Sequence, residues 1–333
     1  MSGRTAAPRA QVHHVADSSV PPHVHAGATA RDRRLAELGV LVTVLIWSAN
    51  FVVVKATIGV LGPLSFTALR YAVAAATLLV ILRWRQGGIR FPRGHGRQLF
   101  AMGAIGFGAY QVLWTVGLTQ VTAGDSALLI AASPVFVALL AGAVGMDVLS
   151  PPKLAGALIS FAGVALVVAA GAQLTIGGDL VGEALTLGAA AMWAVYTTAG
   201  ARIMRVVDPL QATVWTVVSG AIVLAPLGAW ELLTSPPAAV TVAAVVGVLY
   251  SGALAAGVAN VFVFNAIRLV GPTRVTASQF LVPAVAVILG AIFLAEPVTW
   301  AQVLGGAIIV LGVWLTRRPA IVPGAVRARL SSG

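Results

Sequence analysis

The sequence predicts an all-α integral membrane protein: ten transmembrane helices arranged as two inverted five-helix repeats. Three observations carry that expectation. Of 333 residues, 59% are hydrophobic and 9% charged, and the mean hydropathy is +0.96. A soluble domain of this length needs far more charge to cover its surface. The basic residues also sort onto one side of a membrane, and the chain matches itself when shifted by a little under half its length.

A spanning helix needs roughly 20 apolar residues. Apolar runs bounded by Gly, Pro or charge fall at 36–55, 64–83, 98–118, 123–146, 153–171, 180–200, 209–230, 241–267, 274–295 and 299–316. If the N-terminus lies in the cytoplasm, the inner segments hold five arginines within residues 1–35, then Arg83, Arg85, Arg90, Arg93, Arg97, Lys153, Arg202, Arg205, Arg268 and Arg274, and the four arginines from Arg317 onward. Of the 21 Lys and Arg, this leaves Lys55 and Arg70. The acids Asp125, Asp179, Glu183, Glu231 and Glu296 lie at outer ends. Lys and Arg set orientation in membranes, so both termini belong in the cytoplasm of a multi-pass protein of the cell (cytoplasmic) membrane. Losing one helix would scramble this alternation.

The net charge of +11 does not point to nucleic acid, because no basic face is clustered. Cysteine is absent, which excludes disulfides and thiolate metal sites, and no cofactor is implied. Residues 1–35 are polar, rich in Pro and Ala, and lack a signal-peptide core. They read as a disordered cytoplasmic tail, and residues 318–333 as a second one. His13, His14, His23 and His25 in the first tail offer a loose metal site or solvated side chains of no function.

A shift of 149 positions places Pro134 on Pro283, Gly156 on Gly305, Gly163 on Gly312, Asp147 on Glu296 and Gln111 on Asn260. Trp47 falls near Trp193 in a looser echo. The repeats then occupy 36–171 and 177–317. An odd number of helices in each half gives the halves opposite orientations. Such halves rock against one another around a midplane site, so the lipid-embedded chain is expected to carry a small-molecule substrate. Packing alone is the plainer use of a duplication. A lipid or lipid-linked sugar flippase is the nearest rival, ahead of a receptor or scaffold. Intramembrane enzymes are disfavoured: no His-Glu-x-x-His motif and no paired interfacial carboxylates occur.

The run Trp47-Ser48-Ala49-Asn50-Phe51 ending in Lys55, the pattern Ala68-Leu69-Arg70-Tyr71, and the stretch from Asn265-Ala266-Ile267 through Pro283 to Ala295-Glu296-Pro297 and Gly305-Gly306-Ala307 carry a resemblance. The chain resembles EamA-type transporters of the drug/metabolite transporter superfamily over about residues 36–317. Asp147-Val148 in the first repeat departs from the Glu-Pro of the second. The resemblance implies ten helices, an inverted repeat, and export or uptake of metabolites by alternating access.

Candidate site residues each have two readings. Arg70 lies about 10 Å below the outer surface at the ~1.5 Å rise per residue. There it attracts a carboxylate or phosphate, snorkels to the interface, or bonds backbone carbonyls. Lys55 reads as an interface anchor. Tyr110, Gln111 and Trp114 share a helix face and line a pocket or pack between helices. Trp47, Ser48 and Asn50, with Trp193 and Tyr196, form a second set of pocket walls or core. Asn260, Ser278 and Gln279 join the candidate lining. Pro134 and Pro283 free the carbonyls of Ile130 and Gln279, giving hinges or static kinks satisfied by neighbouring hydroxyls. Gly156, Gly163, Gly305 and Gly312 make a packing face, within the chain or across a homodimer. Proton coupling through Asp125 or Glu183 stays open, as do exchange and facilitated diffusion.

Overall fold

The computed structural model describes residues 29–146, 150–171, 179–203, 206–270, 278–279 and 281–316, with the backbone path alone at 169–171, 179, 264, 265, 267, 268 and 270. The histidine-bearing tail, Asp147, Arg205, Arg274 and the C-terminal arginines lie outside the described residues. Among those described, every regular element is helical.

Helix α1 (Ala30–Leu61) begins within the segment expected to be a tail, because a capping box starts it: the Asp32 carboxylate accepts from the Thr29 N–H at 2.9 Å, and the Thr29 hydroxyl accepts from the Asp32 N–H at 3.2 Å. It ends at Gly62, whose φ of 79° is open to glycine at no steric cost. Helix α2 (Pro63–Gln86) follows at once, with proline at its first position. The third apolar segment is continuous but not uniform: α3 (Gly96–Gly103), a π-helical turn (Ala104–Ala109), then α4 (Tyr110–Leu118). The fourth is broken into α5 (Ala123–Ile130) and α6 (Ser133–Ala143). Next come α7 (Pro151–Gly171), α8 (Asp179–Ile203) and α9 (Pro209–Thr234). The eighth segment repeats the third: α10 (Val242–Leu249), a π-helical turn (Tyr250–Val258) and α11 (Ala259–Val270). Helices α12 (Leu281–Leu294) and α13 (Trp300–Thr316) complete the described chain.

Eight of these segments are long and apolar enough to cross a bilayer, and α12 and α13 are shorter apolar helices. Their surfaces are greasy: Leu158, Ile292 and Trp300 are exposed, while Thr43, Ser48, Thr67 and Ser126 are buried. An apolar exterior suits lipid, and the interior combines apolar packing with these hydroxyls. Buried hydroxyls are satisfied locally, as when Thr67 donates to the Pro63 carbonyl one turn back at 2.6 Å.

Pro134 sits at a break between two helices rather than inside one. The fourth segment stops at Ala131–Ala132, and Pro134 sits in the first turn of α6, where its missing N–H costs nothing. The Ile130 carbonyl accepts the Ser133 hydroxyl at 2.5 Å, so this bend is satisfied by a neighbouring hydroxyl. Pro283 is buried near the start of the described part of α12, and Phe280 before it lies outside the described residues. Among the described residues Pro226 lies inside α9, which the repeat did not mark.

The 149-position shift recurs in the packing. It carries Ala104–Ala109 into the second π-helical turn. It also carries Gly103 onto Gly252. A Cβ on Gly103 would lie 2.6 Å from that of Ser219, and a Cβ on Gly252 would lie 2.8 Å from that of Val73 and against the Arg70 carbonyl. Ser219 is the shifted counterpart of Arg70, so α9 meets α3 as α2 meets the second π-helical turn.

Helices α7 and α13 cross on glycine. A Cβ on Gly156 would stand 2.6 Å from the Gly312 carbonyl oxygen, and one on Gly163 would stand 2.7 Å from that of Gly305. The pairs run in opposite directions, and each glycine faces the repeat counterpart of the other. The small-residue face is therefore spent within one chain. Gly163→Leu should force these backbones apart at about 1–3 kcal/mol or more and lower the melting temperature in detergent. Gly59→Ala, where a Cβ meets nothing within 4 Å, should leave it unchanged or raise it. Equal melting temperatures for Gly163→Leu and wild type would refute the seam.

Candidate functional site

Helix α2 turns one face inward, and Phe66, Thr67, Arg70 and Tyr71 on it are buried. Arg70 is 3% exposed. Its guanidinium neither snorkels nor bonds backbone carbonyls: Nη1 donates to Ser251 Oγ at 2.8 Å and Nη2 to Gln111 Oε1 at 2.6 Å. Ser251 in turn donates to Asn50 Oδ1 at 2.7 Å. One chain of side-chain hydrogen bonds thus ties α4, α2, the second π-helical turn and α1 together. Nε–H of Arg70 is buried and meets no acceptor among the described residues.

Aromatic rings wall this cation. Its Cζ lies 5.0 Å from the Tyr71 ring centroid, 5.2 Å from Trp114 and 5.6 Å from Phe66, within the range of cation–π attraction. The wall continues from Trp114 to Tyr110, stacked at 6.4 Å with 5° between planes, and on to Trp193 at 5.4 Å. Trp193 touches Tyr196 at 5.2 Å and Phe107 at 6.2 Å, and Phe107 returns to Tyr71 at 5.8 Å. Gly106 makes the circuit possible, since a Cβ there would strike the Tyr196 ring. The π-helical turn before Tyr110 inserts an extra residue into the helical register, a device common where side chains must be re-aimed at a site. Trp114 is fixed from behind, its Nε1 donating to Ser126 Oγ at 3.0 Å and its edge meeting Phe51 at 5.4 Å. Tyr110 and Trp193 are half-buried.

The structure thus gathers Asn50, Arg70, Tyr110, Gln111, Trp114, Trp193 and Tyr196. Trp47 instead donates from Nε1 to the Ala255 carbonyl in the second π-helical turn at 3.0 Å, clamping α1 to it. Asn260 donates back to Ala256 on its own helix at 2.9 Å rather than mirroring the Gln111 contact. Ser278 and Gln279 are half-buried ahead of α12, and the stretch joining them to α11 lies outside the described residues. Ser251, Phe66 and Phe107 were not singled out by sequence, and Tyr71 was named only within the Ala68-Leu69-Arg70-Tyr71 pattern and not as a site residue. Tyr71 had a signal, as Arg70's neighbour; Ser251 is one hydroxyl among many.

One end of the cluster is closed by charged caps. Lys55 reaches inward from the end of α1: its Nζ donates to the Leu118 carbonyl at 2.7 Å and to that of Val121, capping the C-terminus of α4. Glu296 accepts from the Ala123 N–H at 2.9 Å at the start of α5, and Glu231 from the Ser65 N–H at 2.7 Å at the start of α2, where helix dipoles favour an anion. Asp125, also buried, accepts from Gln302 Nε2 at 2.9 Å. Glu183 is 2% exposed.

Comparison with known proteins fits this geometry. The EamA-like transporter family matches twice, over residues 34–169 and 180–318. An uncharacterized transporter of Archaeoglobus fulgidus is 30% identical, covering 82% of this chain and 94% of its own. The uncharacterized transporter YyaM of Bacillus subtilis is 29% identical over 80% and 88%. A probable terminal-alkyne amino-acid exporter of Streptantibioticus cattleyicolor is 29% identical over 85% and 96%. A solved crystal structure shares the fold with a TM-score of 0.61 at 22% identity, over 86% of this chain and 97% of its own. Two matches spanning most of the chain, on a bundle of long apolar helices with greasy surfaces, make it a multi-pass membrane transporter of the EamA-like transporter family.

Proposed function

We infer that this chain is a secondary transporter that exports a small metabolite, amino acid or drug-like solute across the cytoplasmic membrane by alternating access. In this reading ten membrane helices form two inverted five-helix repeats, with the site near the midplane between them and both termini in the cytoplasm. The observation that carries it is the Arg70 cluster. Asn50, Arg70 and Gln111 come from the first matched segment and Ser251 from the second, so the hydrogen-bond chain spans both halves where they meet.

The inverted repeat draws support from the paired family matches, the recurrence of the π-helical turns at one shift, and the opposed directions of α7 and α13. Efflux of an amino-acid-like solute draws support from the exporter relative. The basic loops support the cytoplasmic termini.

Uptake and counterflow in proteoliposomes, run over amino acids, nucleosides, sugars and cationic drugs, should reveal one saturable solute. Gln111→Ala with Trp114→Ala should lose that flux while remaining folded. Absence of flux for every solute by folded wild type would overturn the carrier reading. Topology has a direct assay because the chain contains no cysteine. Arg90→Cys should escape a membrane-impermeant maleimide in intact cells, and Ser235→Cys should react; the reverse pattern would invert the orientation.

A further inference from the structure

We propose that Arg70 is an anion subsite and that the substrate is a small organic carboxylate with an apolar or aromatic body. The carboxylate meets the guanidinium, and the body lies along the Trp114, Tyr110 and Trp193 rings. The proposal rests on the carrier reading above and names its substrate class.

Three observations converge on it. First, the cation is uncompensated. At 3% exposure, its hydrogen-bond partners Ser251 and Gln111 are neutral, and none of its ion-pair or hydrogen-bond partners among the described residues is a carboxylate. Neutral dipoles and ring faces soften the desolvation of a buried charge without cancelling it. An entering anion does cancel it, and a cation meets repulsion in a low-dielectric setting where repulsion is strongest.

Second, the guanidinium has unused capacity. Nε–H is buried and unbonded among the described residues, and a planar fork of donors matches a carboxylate in two parallel hydrogen bonds. Its two present partners are small or flexible and are exchangeable for a better acceptor.

Third, the charge is singular. The repeat counterpart of Arg70 is Ser219, whose hydroxyl donates to the Trp215 carbonyl on its own helix at 2.7 Å. A pair of symmetric cationic subsites would suit a dianion or a second anion. One subsite suits one carboxylate. The adjoining wall then selects the rest of the molecule: Tyr110 and Trp193 are the half-buried members of the ring circuit, and they adjoin Trp114, which covers the guanidinium.

The test uses purified full-length protein and two readouts, thermal stabilisation in detergent and counterflow in proteoliposomes. The probes are phenylacetate, leucine and phenylalanine, against phenylacetamide, phenethylamine, phenyl phosphate and tetraphenylphosphonium. At least one carboxylate should bind at least tenfold more tightly than the amide, the amine and the phosphonium. Arg70→Gln should lose that tenfold preference, and Arg70→Lys should restore it only in part, because an ammonium cannot form the fork.

If Arg70→Gln does not fold, the acid and amide pair on wild type decides alone. Equal binding of acid and amide, preference for a cation, or preference for phenyl phosphate over every carboxylate overturns the subsite. Flux of a neutral or cationic solute with no acid preference also overturns it while leaving the carrier reading intact. Acid-selective binding without any flux leaves the subsite standing and removes the carrier reading. No binding and no flux removes both.

Discussion

Hydrocarbon supplies no hydrogen bonds, so every backbone group and charge placed in it has to be answered from within the protein. Most of the structure follows from meeting that demand. Hydroxyls at Thr43, Ser48, Thr67 and Thr77 bond to carbonyls one turn back on their own helices. The broken fourth segment hands its Ile130 carbonyl to Ser133. Some helix ends are also capped from distant segments: Lys55 closes α4, Glu231 opens α2 and Glu296 opens α5. For Glu296 the chain accepts a left-handed Ala295, φ 54°, a conformation that costs a non-glycine residue about 1–2 kcal/mol. These capping bonds replace the water that would satisfy the same groups in a soluble bundle, and they fix how the helices stand around the Arg70 cluster.

Arg70 is where the demand is met least completely. Two neutral acceptors and three ring faces hold it, and its position on a packed helix face denies it a route to the surface. Structural economy alone would place a methionine or leucine there. The shifted position shows the alternative, a serine bonded to its own helix. Helices α2 and α9 each pack closely against a glycine, Gly252 and Gly103 respectively, yet they differ in charge at this position.

Much of this was legible in the sequence because membranes impose long, simple patterns. Apolar runs of helix length marked the long helices. Arg70, Gln111 and Trp114 stood out as polar or aromatic side chains at depth, where each is expensive. What stayed hidden depends on single contacts. The π-helical turns leave no composition mark, since Ala104–Ala109 reads as an ordinary helix. Pro134 looked interior because the break at Ala131–Ala132 contains only alanine, a strong helix former. Lys55 looked like a surface anchor because its partners are backbone carbonyls 63 and 66 positions away, invisible to any local pattern. Ser251 gained its importance from Arg70 and Asn50, not from its own neighbours.

The glycine seam between α7 and α13 is its own complement, with Gly156 against Gly312 and Gly163 against Gly305. Such a surface has no sidedness. It would close equally well between two separate half-length chains inserted in opposite senses. Joined in one polypeptide, the two segments that match the family are free to differ in sequence. The seam stays constrained, since any side chain added to one helix collides with the other. Positions away from it are released to specialise, and a molecule built on near-symmetry can hold its decisive charge on one side alone.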